Sequence, residues 1–117
     1  MIIRSKQLET MAKFSRQRFD DTAAEYLRTN HPDEPISKDD SQLARFIKQG
    51  VDKGASYAIT REVDVIRFLE VLLVTGMDFE ASASLRWVAD YLREPVRAEH
   101  RLDNVIERLH FEARPGQ

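Results

Sequence analysis

The sequence predicts an all-α fold: a small single-domain bundle of about five helices, spanning residues 1–117 around one buried central helix. Three observations lead there. The stretch Val63–Val74 is apolar on nearly every side of a helical wheel, with Asp64, Arg67 and Glu70 confined to one narrow strip. A helix that is hydrophobic almost all round is normally buried among other helices. Elsewhere, apolar residues recur at three- and four-residue intervals, which is the spacing of amphipathic helices. Outside the central stretch no segment alternates with the period of two that marks a half-buried strand.

The first helix is expected from Ser5, as N-cap, to about Arg28, with Leu8, Met11, Ala12, Ser15, Phe19, Ala23, Tyr26 and Leu27 on one stripe. Phe14 falls off that stripe. Asn30, His31 and Pro32 stop the helix, because proline removes a backbone donor and disfavours helical geometry in the residue before it. A loop follows to Ile36. The second helix opens at Ser37 to Asp40, where serine and clustered acids suit the positive end of a helix. Its apolar face carries Leu43, Phe46, Ile47, Gly50, Val51, Gly54, Ala55 and Ala58. Two mid-stripe glycines, each costing about 1 kcal/mol relative to alanine, imply either close approach of another helix or a break and restart.

Thr60 is the expected N-cap of the central helix, with Glu62 in its first turn and Gly76 as its C-terminal stop. Met77 to Glu80 is a short connection. The fourth helix is expected over 83–93, turning Leu85, Val88, Ala89 and Leu92 inward, with Trp87 and Tyr91 on another face. Glu94 and Pro95 break the chain. A fifth helix runs from about Val96 to His110 on a stripe of Ala98, Leu102, Val105, Ile106 and Leu109. Arg97, Arg101 and Arg108 form one flank of it, and Glu99, Asp103 and Glu107 the other. From about residue 112 the tail is expected to fray.

Composition limits the function classes. A length of 117 residues suits one core, and a domain of this size buries roughly 65% of the surface that its unfolded chain exposes. Hydrophobic residues at 42% and charged residues at 32% describe a globular protein and not a disordered one. A formal net charge of −2 offers no general attraction to nucleic acid or to an anionic membrane. Cysteine is absent, which excludes disulfides, thiolate metal sites and cysteine nucleophiles and fits a reducing cytoplasm. The N-terminal residues lack the apolar run of a secretory signal. No stretch nears the roughly 20 apolar residues that span a bilayer. The expected location is the cytoplasm.

No pattern of catalytic residues emerges. Glu107 and His110 have the Glu-x-x-His spacing of carboxylate-bridged di-iron bundles, but those folds need two such motifs plus carboxylates from two further helices. His100 and His110 lie three turns apart on one side of a helix, too far to share an ion. With three histidines and four glycines, neither a nucleophile–base arrangement nor a phosphate-cradling loop is recognisable. The expectation is therefore a non-enzymatic protein with no cofactor and no metal. A helix-turn-helix reader needs a polar, basic recognition helix, whereas the helix after the best turn is the buried Val63–Val74. Acids interleave with Arg93, Arg97, Arg101 and Arg108, so that series reads as a solvated flank.

Aromatic residues that the inward stripes leave unused are more informative. Phe14, Phe79, Trp87 and Tyr91 are the candidate partner-binding residues, since exposed aromatics are enriched where binding energy concentrates. A protein partner is expected, without nucleic acid or membrane, and self-association is left open.

The residues so assembled resemble a group of short helical proteins encoded in bacterial type VI secretion clusters, near genes for PAAR-like spike proteins and toxic effectors. The likeness lies in Met1-Ile2-Ile3-Arg4 with Met11 downstream, then Gly50-Val51, Ala55, Tyr57 and Ile59. It continues through Glu62, Asp64-Val65 and Phe68-Leu69 to Gly76-Met77-Asp78-Phe79. The resemblance implies an accessory role: an adaptor or co-chaperone that binds an effector, its chaperone or a spike component during loading. It carries over no functional residue. Two other readings remain, an immunity-type inhibitor of a toxin and a small nucleic-acid-binding regulator.

Overall fold

A computed structural model describes the backbone of residues 5–112 and the side chains of residues 16–112. The fold is an all-α helical bundle, and among the described residues there is no strand. Its helices are α1 (Ser5–Asn30), α2 (Asp40–Ser56), α3 (Glu62–Thr75), α4 (Arg86–Leu92) and α5 (Ala98–Glu112). Single 3₁₀ turns lie at Pro35–Lys38 and Phe79–Ala81. Two compact units divide the chain, residues 1–48 and 49–117, and α2 runs through the division.

In the first unit, α1 buries Phe19, Ala23 and Leu27, three residues of the predicted stripe, and packs on the Pro35–Lys38 turn. The expected first-turn features of α1, and the side chains of Leu8, Met11, Ala12, Phe14 and Ser15, lie outside the described residues. Asp39 caps α2: its carboxylate accepts from the Gln42 N–H at 3.1 Å and its carbonyl from the Leu43 N–H at 2.9 Å. This is the side-chain satisfaction that a helix start requires. Arg28 at the end of α1 pairs with Asp40 at 2.8 Å.

The second unit is organised on α3, which buries Val65, Phe68, Leu69, Val71 and Leu72. Full burial of each is worth about 1.5–3 kcal/mol. Helix α5 packs against both α3 and α4, and α4 against the Phe79–Ala81 turn. The expectation of burial all round α3 needs one correction. Val63 and Val74, at its two ends, are 55% and 71% exposed, while Asp64 is buried. Helix ends emerge from a packed layer even when the sequence there stays apolar. Arg67, half-buried, ties α3 to α5 through Asp103 and the Glu99 carbonyl.

Of the two readings of the glycines, close approach is the one realised. Helix α2 is continuous through Gly50 and Gly54, and a Cβ built on Gly50 would lie 2.2 Å from Leu69 Cδ2. The helix stops at Ser56 with two bonds, the Ile59 N–H to the Gly54 carbonyl at 2.8 Å and the Ala58 N–H to the Ala55 carbonyl at 3.0 Å. That pair is a Schellman ending, in which the residue at C′ adopts positive φ. Here the residue is Ala58, at φ 57°, and not a glycine. Gly76 ends α3 as expected, with φ 87° and its N–H on the Leu72 carbonyl at 2.8 Å. Arg61, and not Thr60, is the N-cap of α3. Helix α4 begins at Arg86, three residues later than the expected Ala83, and α5 at Ala98, leaving Val96 46% exposed.

Candidate functional site

Helix α4 is short, and its residues face two ways. Val88, Ala89 and Leu92 are buried, so Trp87 and Tyr91, four residues apart, share the remaining face. Their rings meet edge to face, with centroids 5.0 Å apart and planes at 68°. Arg108 arrives from α5 and lays its guanidinium 4.2 Å from the Trp87 ring centre and 5.6 Å from that of Tyr91. One Arg108 nitrogen donates to the Tyr91 hydroxyl at 3.4 Å and another to Glu112 at 3.1 Å. A cation over an aromatic face is attracted electrostatically by the ring's quadrupole. The stack therefore holds all three side chains in place.

Beside the stack opens a cleft of about 560 Å³ lined by Tyr91, Glu94, Asn104, Glu107, Arg108 and Phe111. Phe111 is 57% exposed. The Trp87 indole N–H is buried and has no hydrogen-bond partner among the described residues. Arg108 is already paired with Glu112, and Glu94 and Glu107 contribute carboxylates to the lining of the cleft.

The four aromatics expected at a partner surface thus separate. Trp87 and Tyr91 come together, half-buried, on one face. Phe79 is a correction: it is fully buried, packed against Tyr57 with ring centres 6.1 Å apart. Its 3₁₀ turn aims it inward, although a loop position would suggest exposure. Phe14 lies outside the described residues.

A second cleft, of about 590 Å³, is lined by Tyr57, Glu80, Leu92, Arg93, Glu94 and Arg101 among others. In it Glu80 receives the Tyr57 hydroxyl at 2.6 Å and the Lys53 ammonium at 2.7 Å. Lys53 also lies 4.7 Å from the Phe79 ring centre, and Arg93 5.6 Å from that of Tyr57. Burial first, then the hydrogen bond to Glu80 and its negative charge, push the Tyr57 phenol up to about 12. Burial works to raise the Glu80 carboxyl, but hydrogen bonds from Lys53 and Tyr57 outweigh it and hold that carboxyl below its ordinary value. Both groups move away from neutrality. A general acid or base works best with a pKa near the operating pH, so this network suits holding the α2 end to the Phe79–Ala81 turn.

Arg101 is the residue that sequence reasoning misplaced. Expected on a solvated flank, it is buried. Its Nη1 donates to the carbonyls of Tyr57 at 2.6 Å and Leu92 at 2.5 Å, Nε to that of Val96 at 3.0 Å, and Nη2 to that of Ala58 at 3.5 Å. A single guanidinium thus satisfies the open carbonyls where α2 and α4 end, the negative ends of two helix dipoles. The signal was available: Ala98, Arg101, Leu102 and Val105 follow the three-and-four spacing of a buried stripe.

Of the polar residues considered for metal binding, His100, Glu107 and His110 are exposed and Glu99 is half-buried. His100 lies 3.7 Å from Glu99. Among the described residues no group of three or more histidine, aspartate or glutamate side chains could hold a metal ion, and no helix is long and apolar enough to cross a membrane. Neither a protein-family model, nor a curated protein, nor a solved structure matches this chain.

Proposed function

We propose that this chain is a non-enzymatic protein-binding adaptor whose partner docks on the surface formed by Trp87, Tyr91, Arg108 and Phe111. One observation carries the reading: the fixed Trp87–Tyr91–Arg108 stack borders an open cleft that ends in an exposed phenylalanine. Tryptophan, tyrosine and arginine are the residue types in which binding energy concentrates. Side chains already held in place spare a partner part of the ordering cost of docking, roughly 0.5–1.5 kcal/mol for each long side chain. Glu94 and Glu107 line the cleft, so complementarity favours a segment carrying lysine or arginine beside an apolar residue.

The finer reading rests on the resemblance to type VI secretion accessory proteins: the partner is an effector, its chaperone or a spike component, and the chain acts as a co-chaperone during loading. The test uses a photo-crosslinking amino acid at position 111 and, as control, at position 74, where Val74 is also exposed. A protein captured from 111 and not from 74 is then purified and its affinity measured. Trp87→Ala and Phe111→Ala should each weaken binding by roughly 30-fold, the equivalent of 2 kcal/mol. Equal capture from both positions, or undiminished affinity in both folded variants, would refute the surface. Capture of a toxin that the chain silences would replace the adaptor reading by the immunity-type inhibitor.

A further inference from the structure

We infer that the cleft where α2 and α4 end binds a carboxylate attached to an apolar group, with Arg93 as the side chain that grips it. The cleft measures about 590 Å³, within the range of small-ligand sites. Its charges do not cancel. Glu80 is matched by Lys53 at 2.7 Å. Arg93 and Arg101 line the same cleft, and among the described residues neither has a carboxylate within ion-pair distance. Three cations, Lys53, Arg93 and Arg101, thus face two acids, Glu80 and Glu94, which leaves an excess of one positive charge.

Arg93 is the accessible half of that excess. It is exposed, and its guanidinium sits over the Tyr57 ring at 5.6 Å from the ring centre. The ring attracts the cation without using its N–H donors, and those donors form a fork that fits the two oxygens of a carboxylate. Arg101 acts from behind. The carbonyls of Tyr57, Leu92 and Val96 satisfy its donors but carry no net charge. A buried charge is screened far less than an exposed one, so Arg101 attracts an anion in the cleft without touching it. Leu92 and Val96, the latter 46% exposed, give the apolar group its footing. The acids on the wall set the charge of the ligand. A phosphate monoester carries about −1.5 to −2 near pH 7, more than the excess balances, whereas a carboxylate matches it.

The end of a protein chain and a free carboxylic acid carry the same group, and the choice of probe separates them. The experiment follows the Arg93 side-chain Nε–H and the backbone amides of residues 56–58 and 92–94 by NMR in the full chain. The titrants, at pH 7 and equal ionic strength, are N-acetyl-leucine, 4-methylpentanoate, the neutral N-acetyl-leucinamide and inorganic phosphate. Saturable shifts with a carboxylate, at a Kd on the order of 1 mM, and none with the neutral amide are expected. Tighter binding of N-acetyl-leucine assigns the site to a chain end, and tighter binding of 4-methylpentanoate to a free acid. Arg93→Gln removes the grip at an exposed position and should weaken binding on the order of tenfold. Glu94→Gln removes a repelling charge and should tighten it by roughly threefold. Phe111→Ala, in the cleft beside the Trp87 stack, should leave it unchanged, which keeps this site separate from the proposed docking surface. Equal shifts with the amide, no saturable response to either carboxylate, phosphate bound as tightly as they are, or undiminished affinity in Arg93→Gln would overturn the inference.

Discussion

Replacing Gly50 and Gly54 by alanine, one at a time, separates helix propensity from interhelical space. Both lie inside α2, so each alanine gains roughly 1 kcal/mol of helix propensity. What differs is the neighbour. At Gly50 the new methyl would stand 2.2 Å from Leu69 Cδ2 and 3.3 Å from Leu72 Cδ1, and both leucines are 1% exposed or less. Both leucines are enclosed in the core, so accepting the methyl means repacking them, and forced repacking costs about 1–3 kcal/mol. At Gly54 the closest atoms are Phe68 Cδ2 at 3.3 Å and the Ile59 carbonyl oxygen at 3.4 Å, a crowding of only a few tenths of an ångström.

Gly54→Ala should therefore be neutral or gain about 0.5 kcal/mol, and Gly50→Ala should lose about 1 kcal/mol or more. In urea, with a slope of about 1.5 kcal/mol/M, the two midpoints should differ by roughly 1 M. Leu69→Ala adds an internal control. Alone it leaves a cavity costing about 2–5 kcal/mol, but in the Gly50→Ala background the new methyl fills part of that space, so the cost should fall by about 1 kcal/mol. A Gly50→Ala variant as stable as Gly54→Ala, or costs that add in the double variant, would refute the close approach of α2 and α3 at Gly50.

Other consequences follow from single contacts. Arg101→Met should cost about 3 kcal/mol, because it strips donors from buried carbonyls at two helix ends, and Arg101→Lys should recover less than half of that in a denaturation experiment. Ala58→Gly should raise stability by about 0.5–1 kcal/mol, since φ 57° strains any residue with a Cβ; a loss would argue against the Schellman ending. The Tyr57–Glu80 bond gives stability two pH limits. Glu80 titrates below its ordinary 4.5 in the folded chain, so its contribution is full above that value and fades as pH falls through the folded value. Tyr57 is raised from 10.0 to about 12, so its contribution is full below pH 10.0 and is lost on the way to about 12. Denaturation midpoints across pH should show Glu80→Gln flattening the acid limb and Tyr57→Phe the alkaline one. Trp87→Ala should lower stability by only about 1–2 kcal/mol, because the ring is half-buried; a loss near 4 kcal/mol would assign the ring to the core.

Where the sequence sufficed, the physics was local. Periodic apolar spacing identified all five helices, Gly76 marked the end of α3 because its conformation requires glycine, and Asp39 lay in the acidic cluster expected to start α2. Trp87 and Tyr91 share a face because any helix aligns residues four apart. Side-chain partners from distant segments could not be read the same way. Whether Gly50 marked a break or a contact depended on Leu69, nineteen positions along the chain. Phe79 was expected at the surface because it lies between helices, yet a turn delivers it to Tyr57. Arg101 follows a buried stripe, but residue type argued against burial, since an arginine is readily buried only where acceptors from elsewhere receive it. For Arg101 those groups are the carbonyls of Tyr57, Ala58, Leu92 and Val96, which converge only once α2, α4 and α5 have packed. The sequence by itself determined the elements and their inward faces, because propensity and periodicity act over a few residues. Only the tertiary structure decided which polar groups those faces could bury, because the partners that make burial tolerable come from other parts of the chain.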